Sequence, residues 1–152
     1  MPSVRSFGDF VIRHAGNFVR YSLRLPADRQ FRCRSTGWVN IKSEGEWHHP
    51  HIHHRAVLSY VYYIDAPDDG VEIRPQEGRV TGGLIQFQDP RGSAPYMFSD
   101  LTSVFGASVR FVPEEGMLLI FPSFLMHLVV PIISQQRRIS IGGNLSSIQV
   151  AR

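Results

Sequence analysis

The sequence predicts an all-β fold, a sandwich or barrel of about eight short strands, behind one N-terminal helix. Three observations predict it. From residue 31 onward, short β-rich runs succeed one another. Between them stand turn signals such as Ala66-Pro-Asp-Asp-Gly70, Asp89-Pro-Arg-Gly92 and Pro113-Glu-Glu-Gly116, where Pro fixes φ and Gly admits positive φ. The chain has 152 residues, 43% of them hydrophobic, which is enough for one domain with a core and short for two.

The elements follow in order. Phe7, Phe10, Val11, Ala15, Phe18 and Val19 repeat at helical spacing, which predicts a helix over 5–22 that Pro26 terminates. Gly16 weakens that helix by roughly 1 kcal/mol relative to Ala. Strands are expected near 31–42, 51–64, 71–75, 82–88, 108–112, 117–121, 126–132 and 137–145. Val57–Ile64 is nearly all apolar and aromatic, as in a strand covered on both faces. Residues 92–107 lack periodicity and read as a long loop.

Five of the seven histidines lie between positions 48 and 54. Such a tract is either a solvated surface or tag-like run, or a metal site. It leads directly into the strongest strand pattern, and a tag would sit at a terminus. In a strand, residues i and i+2 share a face, so His51 and His53 project together while Ile52 faces the other layer. A third ligand then comes from another strand, and His127 is the isolated histidine of the β-rich region. Three neutral imidazoles suit Fe, Zn, Ni or Cu better than Mg or Ca. His14, on or beside the helix stripe, reads as a packing or surface residue. His48, His49 and His54 flank the site, and one of them could serve as a supporting donor.

Alternation over Arg137–Asn144 puts Arg138, Ser140 and Asn144 on one face and Ile139 and Ile141 on the apolar one. An arginine aimed into a barrel needs an anion. That anion is either an internal Asp or Glu, or a bound carboxylate held by the guanidinium fork with the Ser140 hydroxyl beside it.

Taken together, these segments resemble the Fe(II)- and 2-oxoglutarate-dependent oxygenases, and within them the bacterial and phage group labelled "putative 2OG-Fe(II) oxygenase". The resemblance runs from about Trp38 to Asn144. It covers Trp38-Val-Asn40, Gly45…His51-Ile-His53, Leu58-Ser-Tyr-Val-Tyr-Tyr63, Gly83…Phe87-Gln-Asp-Pro-Arg91, Gly116…His127 and Arg138-Ile-Ser140…Asn144. It implies a double-stranded β-helix (jelly roll) over 31–148, within a single domain 1–152 whose first 30 residues form a helical or irregular segment. By the same resemblance, His51, His53 and His127 match the iron ligands. Arg138 and Ser140 match the residues that hold the distal carboxylate of 2-oxoglutarate, and Asn40 and Tyr63 match polar positions that touch this co-substrate. The implied reaction uses O₂, hydroxylates a small-molecule or peptide substrate and releases succinate and CO₂. Most of the superfamily carries Asp or Glu where His53 stands, although His-x-His also occurs in the narrower group. Asp65 and Asp89 are candidate substitutes for the missing carboxylate.

Gly45-x5-His51-x-His53 and Gly116-x5-Pro122…His127 also resemble the two cupin motifs. The expected Glu is missing, however, and Phe124 and Pro131 replace the motif's Gly and Asn. A cupin-like three-His dioxygenase or isomerase is therefore the alternative, and a non-enzymatic jelly-roll binding module the next. Trp47, Tyr96, Phe98 and Phe105 are candidates for the mouth of the pocket.

The net charge is +3, yet seven arginines fall in the first 34 residues, while residues 65–77 are acidic. With fifteen arginines and one lysine in the chain, this reads first as compositional bias on a solvated surface. No nucleic-acid partner is expected, since no motif for one is present. No apolar run approaches the ~20 residues of a membrane span, and no secretory signal opens the chain. The single cysteine, Cys33, excludes an internal disulfide framework and points to the cytoplasm. A homodimer stays open.

Overall fold

A computed structural model describes residues 3–67, 82–91 and 108–151. The strand expected at 71–75, the loop at 92–107, and Tyr96, Phe98 and Phe105 lie outside the described residues.

Helix α1 spans Val4–Ser22. Its N-cap Ser3 accepts the Ser6 N–H at 3.2 Å, which satisfies one of the orphan donors of the first turn. The strands are β1 (Gln30–Lys42), β2 (His48–His51), β3 (Leu58–Asp65), β4 (Ile85–Gln88), β5 (Ser108–Phe111), β6 (Leu118–Pro122), β7 (His127–Val129) and β8 (Arg138–Ala151). They form two four-stranded antiparallel sheets, ordered β1-β8-β3-β6 and β2-β7-β4-β5. The all-β expectation with one leading helix is met. The expected strand 51–64 is in fact two strands, because a turn containing Arg55 at φ 61° interrupts it. β8 runs to Ala151 rather than ending near 145, because β1 supplies a partner back to Gln30.

Strand alternation divides the first sheet between two cores. Leu58, Tyr60, Leu118, Ile120, Ile141 and Leu145 pack with Val11 and Ala15 of α1. Val61, Leu119 and Phe121, the intervening residues, pack instead with Ile85, Phe87 and Val129 of the second sheet. The amphipathic helix therefore covers one face of the sheet, and the second sheet covers the other. Each fully buried side chain of the Leu145 kind contributes ~1.5–3 kcal/mol.

Glycines allow close approaches. A Cβ on Gly16 would stand 3.1 Å from the Phe31 side chain, so this helix-weakening residue is where β1 meets α1. A Cβ on Gly143 would stand 2.2 Å from the Tyr60 ring and 2.5 Å from the Thr36 carbonyl oxygen. Only glycine lets Tyr60 lie across β8.

Candidate metal centre

The site opens between the two sheets. His51 is the last residue of β2, opposite His127 at the start of β7. His53 is not in a strand, contrary to the i, i+2 expectation. It lies two residues beyond β2, and its N–H donates to the Ser123 carbonyl at 3.0 Å. The three rings nevertheless converge, with one ligand atom from each within 4.8 Å of the others. The Nε2 atoms of His53 and His127 are 3.3 Å apart.

Hydrogen bonds decide which nitrogens face inward. Nδ1 of His51 lies 2.6 Å from the His49 carbonyl oxygen, and Nδ1 of His127 lies 2.9 Å from that of Leu125. A carbonyl only accepts, so each Nδ1 carries the proton and each Nε2 keeps its lone pair. Two adjacent lone-pair donors facing a third imidazole form a donor set for a borderline cation. Among the described residues no carboxylate joins this cluster. Asp89 is instead tied to Arg91, so it does not fill the place of the absent acid.

Packing fixes the rings. His127 is 4% exposed. Phe87 stacks on it at 5.7 Å, and Phe121 meets it edge-on at 4.9 Å. Trp38 stacks on His53 at 5.7 Å, and it can do so because Gly142 is bare: a Cβ there would stand 3.0 Å from the indole. Behind His53, Ser59 donates to Asn144 Oδ1 at 2.8 Å and pairs with the Ser123 hydroxyl at 2.8 Å. Ser59 and Ser123 are buried. The turn that supplies carbonyls to both His53 and His127 is thus pinned to β3 and β8.

Burial lowers the pKa of His127 to about 4, with the neighbouring imidazoles adding to the effect against an opposing bond to Leu125. Burial, and then the charge of Lys42, lowers His48 to about 4 as well. His53 is lowered by burial and by His51. Unfolded, such rings take up protons near pH 6.5. Below that pH the unfolded chain therefore binds protons that the folded chain refuses, and stability falls as pH drops from 6.5 toward 4. Thermal melts of the chelator-treated protein should show a midpoint that falls across this window and is flat above pH 7. A flat profile through pH 5 would contradict these shifts.

The same cleft holds the four residues expected to contact the co-substrate. Asn40, Ser140 and Tyr63 are register neighbours across β1, β8 and β3, and Arg138 stands one row further along. All four line one cavity with the three histidines. The cavity is open at its mouth and has an accessible volume of about 60 Å³. Arg138 is 5% exposed; it donates to the Gly83 carbonyl and its guanidinium lies 5.9 Å from the Tyr63 ring centroid. Burial pushes the Tyr63 hydroxyl up to about 12 against the opposing charge of Arg138, so it remains a proton donor.

Lys42, the register partner of Arg138, also lines the cavity, as do His48 and Trp38. Strand alternation, which puts Lys42 on the face of Asn40, was the available signal. Trp47 does not line it; its ring packs on His49 at 4.1 Å. His14 is exposed and meets Phe10 edge-on at 4.5 Å, as a packing residue would. No helix of the described residues is long and apolar enough to cross a membrane.

A family profile described as "Putative 2OG-Fe(II) oxygenase" matches residues 36–144. No curated protein matches the chain. Among solved structures, a 2OG-Fe(II) oxygenase family oxidoreductase from Burkholderia pseudomallei is similar at a TM-score of 0.55 and 14% identity, over 83% of this chain and 50% of that one. A Pseudomonas putida prolyl-4-hydroxylase is similar at 0.51 and 19% identity, over 88% of this chain and 60% of that one. The chain thus spans about half the length of these relatives, and at these identities they establish a shared fold. The profile match covers most of the chain and contains every residue of the cleft described above, and by it the chain belongs to the 2OG-Fe(II) oxygenase family.

Proposed function

We propose that this chain is a 2-oxoglutarate-dependent oxygenase in which His51, His53 and His127 hold Fe(II), and Arg138, Ser140, Tyr63 and Asn40 hold the co-substrate. The observation that carries this reading is the joining of a three-imidazole cluster and a row of donors in one cavity. With 2-oxoglutarate and O₂, the metal supplies oxidation of a substrate C–H bond to an alcohol, coupled to decarboxylation of 2-oxoglutarate to succinate. The protein's share is placement. Arg138 offers a planar fork to the far carboxylate, and the hydroxyls of Ser140 and Tyr63 donate from the adjoining row. The carbonyls of His49 and Leu125 hold two imidazoles with Nε2 forward. Phe87 and Phe121 exclude water from the inner side of His127. Three neutral ligands leave the charge of the metal uncompensated by protein, so a dianionic co-substrate is the fitting complement. Substrates are a small molecule or a peptide side chain.

The all-imidazole donor set also favours a second reading, a three-His metalloenzyme that needs no co-substrate. Anaerobic thermal melts separate the two. With Fe(II) present, 2-oxoglutarate should raise the midpoint, and more than it does in chelator. Succinate should then form on admitting O₂. Metal binding with no 2-oxoglutarate effect would overturn the first reading in favour of the second.

A further inference from the structure

The arginines of the first third of the chain are not scattered over the surface. Arg13, Arg20, Arg29 and Arg32 line one recess between the second half of α1 and the start of β1. The recess continues past Arg20 to a second one lined by Tyr21 and Arg24. Among the described residues no Asp or Glu lines either part, and none of these five arginines is in an ion pair. Five positive charges exceed the net charge of the whole chain, so the remainder is net negative. With Asp28, exposed between Ala27 and Arg29, as the acid nearest in the chain, the recess is a predominantly positive electrostatic focus.

Two further observations point to a ligand. Arg20 is held ready: its guanidinium donates to Asn17 Oδ1 at 2.6 Å and to the Arg29 carbonyl at 3.1 Å, which fixes the middle of the recess. Arg24 sits at φ 53°, just past the helix, where Leu25 N–H returns to the Arg20 carbonyl at 2.9 Å. That left-handed position favours glycine, and an arginine there is strained. Between these two residues Tyr21 stands 88% exposed, with its ring free to meet a planar group.

We propose that this recess binds single-stranded nucleic acid, with phosphates on the arginines and a base stacked on Tyr21. Guanidinium forks pair with phosphate oxygens, and an aromatic ring beside a basic groove is the usual means of gripping unpaired bases. A flat anionic membrane fits less well, because Arg20 and Arg29 are half-buried within a recess between helix and strand. The recess lies on the helix-covered face of the first sheet, opposite the histidines, so the inference stands apart from the metal reading.

Fluorescence anisotropy with a labelled mixed-sequence oligonucleotide of about 12 nucleotides tests it. Binding should weaken with salt. Arg13→Gln with Arg32→Gln, both at exposed positions, should cost at least about tenfold and flatten the log–log salt slope by about 1.4. Tyr21→Ala should weaken binding several-fold without changing that slope, and Tyr21→Phe should restore it. Arg24→Gly should raise the thermal midpoint while lowering affinity. Binding should be the same with and without chelator, which separates this result from the fate of the oxygenase reading. No binding, binding indifferent to the arginine pair or to Tyr21, or binding to phosphatidylserine vesicles in place of the oligonucleotide would overturn the proposal.

Discussion

Replacing His127 by Ala should abolish tight metal binding while leaving a folded protein. The ring is the most buried of the three, and its Nε2 faces that of His53 at 3.3 Å. Its loss leaves two imidazoles, one of them held from a loop rather than a strand. Outer-shell partners of a metal already contribute 10–100-fold to affinity, so removing a direct donor should cost at least about 100-fold. The substitution also empties space between Phe87 and Phe121, at a cost of about 1–3 kcal/mol in the metal-free protein. The two effects separate on different readouts. Titration with Co(II) or Fe(II) under anaerobic conditions reports the first, and melts in chelator report the second. His48→Ala is the control: that ring lines the cavity outside the three-ligand cluster, and its loss should change metal affinity only slightly. Equal loss in both variants would mean that the ligands are wrongly assigned.

The triad was legible in sequence because histidine is rare outside the tract and His127 stands alone on a strand. Strand alternation accounts for the pairing only in part. His51 and His53 converge because a turn swings His53 back onto Ser123, not because they share a strand face. The break is set by Arg55 in the left-handed region, a conformation that side-chain chemistry does not announce at a non-glycine residue. Arg138 and Ser140 were legible from period-two alternation, which holds against β1 from Arg138 to Asn144 before β8 shifts register. The stacking of Trp38 and the Ser59–Ser123–Asn144 contacts were not. Their meaning comes from register across strands distant in sequence, as when β1, β8 and β3 bring Asn40, Ser140 and Tyr63 abreast. The glycines divide in the same way. Gly16 reads as a helix defect until Phe31 is seen against it, and Gly142 is an ordinary strand position until the indole of Trp38 lies over it.

Arg138→Met should leave metal binding nearly intact and cost 2-oxoglutarate about 100-fold in affinity or more. Methionine keeps much of the apolar stem and removes the fork. Hydrogen bonds to charged groups contribute ~1.5–3 kcal/mol each, so losing a bidentate pair removes about 3 kcal/mol or more. That corresponds to roughly two powers of ten. A buried guanidinium also anchors local structure, here through the Gly83 carbonyl and the Tyr63 ring, so a fall in affinity alone would not prove direct contact. The discriminating measurement is a comparison of ligands. Against 2-oxoglutarate, the variant should lose its preference over a keto acid that lacks the far carboxylate, whereas a merely loosened pocket would weaken both alike. Lys42→Ala serves beside it. Lys42 is the register partner of Arg138, but its ammonium is turned to the Trp47 carbonyl at 3.2 Å, so its loss should matter much less. If Lys42→Ala instead proves the larger loss, the far carboxylate sits at the mouth of the cavity, and the orientation proposed for the co-substrate is reversed.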